Sequence, residues 1–89
     1  MDKEPKFPLY LVVWKDAQSD SQWSELDKVK IWGEADCVIW DIGWVIHESK
    51  SHIIICSQIC EEGDVGSRTK IPTDWIIKKQ KIRFKYNPK

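Results

Sequence analysis

The chain has 89 residues, six tryptophans and a formal net charge of zero, which is the size of one small domain. No run approaches the roughly 18 consecutive apolar residues of a membrane span, and the charged N-terminus lacks the apolar segment of a secretory signal, so we expect a cytosolic protein. Three cysteines give no closed disulfide framework, which fits a reducing compartment.

Charge is unevenly distributed along the chain. Residues 1–69 carry seven basic and thirteen acidic side chains, whereas residues 70–89 carry seven basic side chains and one acidic one. This distribution favours a basic last strand that lies beside acidic loops of the same chain. The alternative is a basic face that binds phosphate groups.

Residues 1–8 form a polar leader that we expect to be flexible, because Pro5 and Pro8 discourage regular structure. Residues 9–86 are then predicted to form a single domain. Its first strand is predicted at residues 9–14, which are rich in β-branched and aromatic side chains. Both faces of this strand are apolar, which indicates that both are covered.

Residues 15–36 form a long polar segment after the first strand. It opens with turn-forming residues, and Ser24 and Asp27 have the spacing that could cap one helical turn. Trp23 and Trp32 argue against disorder in this segment. Because a loop this long in a compact domain is usually either functional or disordered, we expect an ordered, functional first loop.

Residues 36–48 and 51–60 predict a hairpin with a two-residue turn between them. In that register Trp40 and Trp44 face isoleucines of the second strand, one face is apolar throughout, and both indoles are predicted to lie in the core. The second face is apolar too, so we expect another copy to cover it in a homo-oligomer, most simply a two-fold dimer. The residues of that second face are Ile39, Val45, Ile54 and Cys56.

The C-terminal part is predicted to contain a loop at residues 61–69, then a short strand that runs into a tight turn at residues 70–76. Trp75, in the turn, is expected to be buried. The alternation of Ile82, Phe84 and Tyr86 with basic residues indicates the last strand.

The short strands, the long first loop and the turn Ile71-Pro72-Thr73-Asp74-Trp75-Ile76 resemble the small five-stranded barrel of the Src-homology-3 type. The resemblance implies an all-β fold: a small, partly open five-stranded barrel with a long first loop and a short 3₁₀ turn before the last strand. It implies no activity, because small barrels host unrelated functions.

The chain is also similar to a group of small proteins from tailed bacteriophages and prophages. The similarity is carried by Val13-Trp14-x-Asp16, Ser21-x-Trp23, Asp41-x-Gly43-Trp44-Val45-Ile46 and Ile71-Pro72-x-x-Trp75-Ile76. It implies a viral accessory protein in the cytoplasm of a bacterial host. Small phage proteins of this kind often inhibit a host enzyme or sequester a nucleotide signal of host defence.

The residue spacing disfavours metal binding and catalysis. Cys56 and Cys60 would be about 13 Å apart along an extended strand, too far for two ligands of one metal, whereas His47 and His52 could bind one weakly. No Gly-x-Ser-x-Gly motif or glycine-rich phosphate loop occurs. We predict a non-enzymatic protein with no catalytic residues, no metal and no cofactor.

The tryptophans are the strongest functional signal, because a chain of this length buries only about 60–65% of its unfolded surface and has a thin core. Rings beside the long loop are therefore expected to be available for capture of a host nucleotide-type ligand. The predicted ligand-binding residues are Trp14 and Trp23 for stacking of the base, Asp16 and Ser19 for its edge or a ribose, and Arg68 and Arg83 for phosphate. The alternatives are a module that binds and inhibits a host protein through the same groove and, third, a single-stranded nucleic-acid binder.

Overall fold

The computed structural model describes residues 5–87, which form five β-strands, one α-helix and one 3₁₀ turn. The strands are β1 (Leu9–Asp16), β2 (Cys37–Glu48), β3 (His52–Ile59), β4 (Val65–Pro72) and β5 (Ile76–Ile82). Helix α1 (Leu26–Glu34) lies between β1 and β2, and the 3₁₀ turn (Thr73–Trp75) lies between β4 and β5.

All five strands belong to one antiparallel sheet with the order β4-β3-β2-β1-β5. If the sheet were flat, β4 and β5 would be roughly 19 Å apart, yet the chain passes from one to the other through a turn of three residues. The sheet therefore curls until its two edges approach each other at that end, without closing into a continuous ladder. The predicted all-β fold, a small partly open five-stranded barrel with a 3₁₀ turn before the last strand, is confirmed.

The inner face of the curled sheet holds the hydrophobic core. Val12 and Ile71 are completely buried, and the strand register places the other core residues on the same face. The core cluster consists of Val12, Trp14, Val45, Ile53, Ile55 and Ile71, with Tyr10, Ile39 and Ile76 packed against it. We call the opposite side of the sheet the outer face.

The predicted register of the hairpin is wrong, and so is the predicted orientation of β2. Glu48 pairs with Ile53 rather than with Ser51, and the backbone nitrogen of Ser49 donates to the carbonyl oxygen of His52. The register shifts again between Val45 and His47. The odd-numbered residues from 39 to 45 consequently lie on the inner face. Trp40 lies on the outer face and is 70% exposed rather than buried, and Trp44, on the same face, is half-buried.

Asp41 and Gly43 make the inner face of β2 look less hydrophobic than its outer face, and each has a specific structural role. The carboxylate of Asp41 accepts a hydrogen bond of 2.9 Å from the indole Nε1 of Trp14. Gly43 lies where β3 passes close to β2, so that a Cβ atom at this position would come within 2.8 Å of the carbonyl oxygen of Cys56. Hydrophobic alternation alone therefore selected the wrong face.

Residues 17–36 form an arm that leaves the sheet between β1 and β2. No residue of its helix is buried, and the chain has a radius of gyration of 17.4 Å, whereas a compact domain of this length has about 12 Å. The predicted cap is wrong: Glu25, not Ser24, is the N-cap residue, and it makes no side-chain capping hydrogen bond. The single predicted turn is instead a helix of nine residues.

Two predicted boundaries near the C-terminus are also wrong. Residues 65–69 are part of β4 rather than a loop, because they pair with β3. Strand β5 starts at Ile76 and ends at Ile82, where its partner β1 begins, so Phe84 and Tyr86 lie beyond it.

Part of the predicted leader, residues 1–4, lies outside the described residues. The carbonyl oxygen of Pro8 accepts a hydrogen bond of 2.9 Å from the backbone nitrogen of Val45. Pro8 therefore extends the ladder between β1 and β2.

Candidate functional site

The arm presents large apolar side chains to solvent. Trp23, in the loop before α1, is fully exposed, and Leu26 and Ile31 on the helix are more than half exposed. The arm also carries five carboxylates and two lysines, a net charge of −3. Large exposed apolar side chains bordered by charged groups are typical of interaction surfaces.

The base of the arm is fixed by the ladder between β1 and β2. Asp16 and Cys37 are the last residue pair of that ladder. The Nζ of Lys15 lies 3.2 Å from a carboxylate oxygen of Asp36 just beyond it. Because both side chains are more than half exposed, this ion pair contributes at most about 1 kcal/mol, and the ladder does most to hold the two ends of the arm together.

Helix α1 keeps one face partly covered by the loop that precedes it. Val29 and Trp32, three residues apart on the helix, lie on this face near Asp20 and Gln22 of the loop. A helix of nine residues is marginal in water on its own, so the contacts with the loop help to keep it ordered. Ile31 lies on the opposite face and is exposed.

A shallow cleft of about 120 Å³ lies between the loop and α1. It is lined by Asp20, Gln22, Ser24, Lys28, Val29 and Trp32, and the Asp20 carboxylate accepts a hydrogen bond from the backbone of Gln22. The cleft thus combines an indole, an ammonium group and a carboxylate. Ligand pockets usually have about 300–1,000 Å³, so this cleft could hold part of a small ligand without enclosing it.

Trp14, the first of the predicted stacking residues, lies in the core. It is 9% exposed, and its ring is stacked on Trp75, with a centroid distance of 6.4 Å and an angle of 16° between the ring planes. Its Nε1 donates to Asp41. Trp75, expected to be buried, is the outer ring of this stack and is 40% exposed.

The structure does not bring the six predicted ligand-binding residues together. Trp14 is in the core, whereas Trp23 and Ser19 lie in the exposed arm. Asp16 is exposed at the end of β1. Arg68 is on β4 and Arg83 follows β5, so the two arginines belong to opposite edges of the strand order.

Lys79 of the basic last strand is engaged within the chain. Its Nζ lies 2.7 Å from a carboxylate oxygen of Glu48 and 5.3 Å from the centre of the Tyr10 ring. The contact of Lys79 with Glu48 therefore agrees with the prediction that the basic last strand lies beside acidic residues of the same chain.

The cysteine and histidine residues do not form a chelating group. No cluster of three or more His, Cys, Asp or Glu side chains within residues 5–87 could hold a metal ion, although the rings of His47 and His52 lie 5.6 Å apart. Burial raises the pKa of the Cys56 thiol above its ordinary value, and a hydrogen bond with the backbone of Gln58 partly offsets this rise. Cys60, by contrast, is exposed.

Sequence reasoning missed three residues, one that contacts Trp14 in the core and two that line the cleft of the arm. Asp41 holds the indole of Trp14, and Lys28 and Asp20 line the cleft beside Trp32. A carboxylate in the middle of the otherwise apolar segment 37–46 was a usable signal for Asp41, because a charge near a core needs a partner. No comparable signal marked the cleft residues, since their proximity depends on how the loop folds back on the helix.

Comparison of the chain with protein-family models, with curated proteins and with solved structures found no match. In the described part of the chain, every helix is too short and too polar to cross a membrane.

Proposed function

We propose that this chain is a non-enzymatic binding protein that recognises another protein through its arm. The observation that carries the proposal is the fully exposed indole of Trp23. Tryptophan is among the residues that most often dominate the energetics of protein interfaces. Because no core contact requires Trp23 to be where it is, a partner that covers this ring gives it a role.

The composition of the arm defines the chemistry of the partner. Trp23, Leu26 and Ile31 require an apolar surface with a pocket for the indole. The net charge of −3 on the arm favours basic groups around that pocket, since complementary charge speeds association and selects the partner. The resemblance to phage proteins makes a protein of the bacterial host cytoplasm the proposed target, with inhibition by occupation of its surface as the proposed effect.

A photo-crosslinking amino acid at position 21, an exposed site two residues before Trp23, tests this proposal in bacterial cells with the indole left in place. We expect one discrete cross-linked product of defined mass. An excess of unlabelled wild-type chain should compete with its formation, whereas an excess of the Trp23→Ala variant should not. The matched control carries the cross-linker at Ile77, an exposed residue of β5, and should give no such product. Products that are equally abundant from both positions would contradict recognition through the arm.

A second candidate function, capture of a nucleotide-type ligand, is supported by the cleft of the arm. Trp32 offers a ring face for a base, Lys28 a cation for a phosphate, and Asp20 an acceptor for a base edge or ribose hydroxyl. This arrangement replaces Trp14 as a stacking residue, because the ring of Trp14 is already covered.

Calorimetry with a panel of cyclic and linear nucleotides tests the second candidate. Saturable binding that Lys28→Ala weakens, and that Lys30→Ala on the same helix leaves unchanged, would support it. No heat with any nucleotide would exclude capture in this cleft. A gel shift with single-stranded DNA or RNA that weakens as salt rises would favour the third candidate instead.

A further inference from the structure

The first half of β2 has a hydrogen-bonded neighbour on one side only. Strand β1 pairs with β2 from Cys37 to Trp44, whereas β3 pairs with it only from Trp44 to Glu48. Beyond Cys56, β3 leaves β2 and continues with β4 alone. Within residues 5–87, no strand pairs with the second edge of the segment 37–43, which we call the open edge.

The backbone groups at the open edge belong to alternate residues. The backbone nitrogen of Val45 donates towards β1, to Pro8. Because hydrogen bonding alternates along an antiparallel strand, the odd-numbered residues of this segment also bond towards β1. The N–H and C=O groups of Val38, Trp40 and Ile42 therefore point away from β1, to the open edge. An unpaired edge of this kind is a template for pairing with another chain.

The same three residues have the exposed side chains of this part of the sheet. Val38, Trp40 and Ile42 lie on the outer face, opposite residues of β1, and all three are exposed large apolar residues. Apolar side chains and unpaired backbone groups thus coincide on Val38, Trp40 and Ile42. A partner that pairs with the edge would cover both.

We propose that the open edge pairs with the open edge of a second copy of this chain, antiparallel, around a two-fold axis at Trp40. Trp40 then lies opposite Trp40 of the second copy, and Val38 lies opposite Ile42 of the second copy. Each opposed pair exchanges two backbone hydrogen bonds. All three residues of both copies are satisfied in this register, whereas a shift by two residues leaves one residue of each copy unpaired.

The composition of the segment suits association of like with like. Directly opposed residues of an antiparallel pair lie on the same face, so the two indoles and four aliphatic side chains form one continuous apolar surface. The charged residue of the segment, Asp41, faces inwards and is bonded to Trp14. The formal net charge of the chain is zero, so two copies approach without long-range repulsion.

The two outermost strands of the sheet are unsuitable for such pairing. The outermost strand β5 carries Lys78, Lys79 and Lys81 within seven residues, and β4 carries Arg68, Lys70 and Pro72. Lysine and proline on an edge strand are the usual protection against pairing with another chain. The open edge of β2 lacks this protection, which favours it over β4 and β5 as the interface.

Sedimentation and backbone hydrogen exchange of the full chain, over a range of concentrations, test the proposal. One strand pair buries less surface than a standard interface, so we expect a dimer that dissociates on dilution through the micromolar range. We also expect the amide protons of Val38, Trp40 and Ile42 to become protected as concentration rises. These protons are free of the β1 ladder, so their protection reports on pairing at the edge.

The variant Trp40→Lys should abolish both the dimer and this protection. Ile42→Lys serves as a second variant, and circular dichroism checks that each remains folded. The matched control is Ile31→Lys, which adds the same charge at an exposed position of the arm and should leave the dimer intact. The result does not depend on what the arm binds.

Three results would overturn the proposal. The wild-type chain could remain monomeric at every concentration tested. A dimer could form while the amide protons of Val38, Trp40 and Ile42 exchange as in the monomer, which would mean that faces rather than edges associate. Alternatively, Ile31→Lys could dissociate the dimer as fully as Trp40→Lys, which would mean that the arm of one copy covers the sheet of the other.

Discussion

Trp14 and Trp40 lie on neighbouring strands of one ladder but on opposite faces of the sheet. Trp14 pairs with Ile39, and Trp40 pairs with Val13, the residue before Trp14. The ring of Trp14 is buried, stacked and hydrogen-bonded, whereas that of Trp40 is mostly in solvent. The contrast shows that tryptophan content does not measure core size, because the same side chain serves the fold at one position and is available to a partner at the other.

The largest effect is expected from Trp14→Ala. This change removes a buried ring, its contact with Trp75 and its hydrogen bond to Asp41. Replacement of a buried tryptophan by alanine costs about 3–5 kcal/mol, a large part of the total stability of a small domain. Urea unfolding followed by circular dichroism should show a much lower midpoint, or no folded baseline. Trp75→Ala, at the exposed ring of the stack, should have a smaller effect, and equal losses would contradict the assignment of Trp14 to the core.

The next effect is expected from Asp41→Ala, which leaves the indole nitrogen of Trp14 without its acceptor. An unsatisfied buried donor costs about 1–3 kcal/mol. Asp41→Asn keeps an acceptor oxygen at the same place and should recover most of the loss. If the two variants have the same free energy of unfolding, the hydrogen bond does not stabilise the inner face.

A smaller effect is expected at high pH from Cys56, which lies on the outer face beside Trp44. Burial raises the pKa of its thiol above the ordinary value of 9.0, so the folded chain keeps the proton longer than the unfolded chain. The stabilising contribution is fully present below the unfolded pKa and is lost as pH rises through the folded pKa. Unfolding free energies measured up to alkaline pH should decline less for Cys56→Ala than for wild type. Identical slopes in the two chains would contradict the role of Cys56.

The smallest effect on monomer stability is expected from Trp40→Ala. Exposed substitutions usually change the free energy of unfolding by no more than about 0.5 kcal/mol, and dilute protein removes any contribution from a second copy. The measurement is urea unfolding at low protein concentration, beside Trp14→Ala. A loss comparable with that of Trp14→Ala would place Trp40 in a core contact.

The strands and the all-β class could be predicted because alternation and β-branched composition are local properties of the sequence. Which face of β2 is buried could not be predicted, since that depends on contacts with other strands. Asp41 is compatible with the interior only because Trp14, 27 positions away, donates a hydrogen bond to it. The register of the hairpin depended in the same way on a shift between Val45 and His47. These are tertiary effects, and hydrophobic alternation does not contain them.

The residues of the candidate site could be predicted only where the local sequence determines their position. Trp23 sits in a long polar segment, so its separation from the core could be inferred from its surroundings. Trp14 belongs to a strand that is apolar on both faces, which predicts that both are covered, and Val13 and Trp14 on its two faces are indeed buried. The burial of Trp14 could therefore be inferred from its strand, and its assignment to a ligand site went against that signal. The cleft beside Trp32 depends on the loop folding back against α1, which is a contact that spacing does not encode.

The closing residue pair at the base of the arm has an evolutionary consequence. Asp16 and Cys37 are neighbours in the ladder, so the chain leaves and re-enters the sheet at points only about 5 Å apart. A segment of any length that starts and finishes at this gap can be inserted or exchanged without disturbing the strands. Residues 17–36 can therefore change in sequence while the pairing of the strands beneath them stays the same.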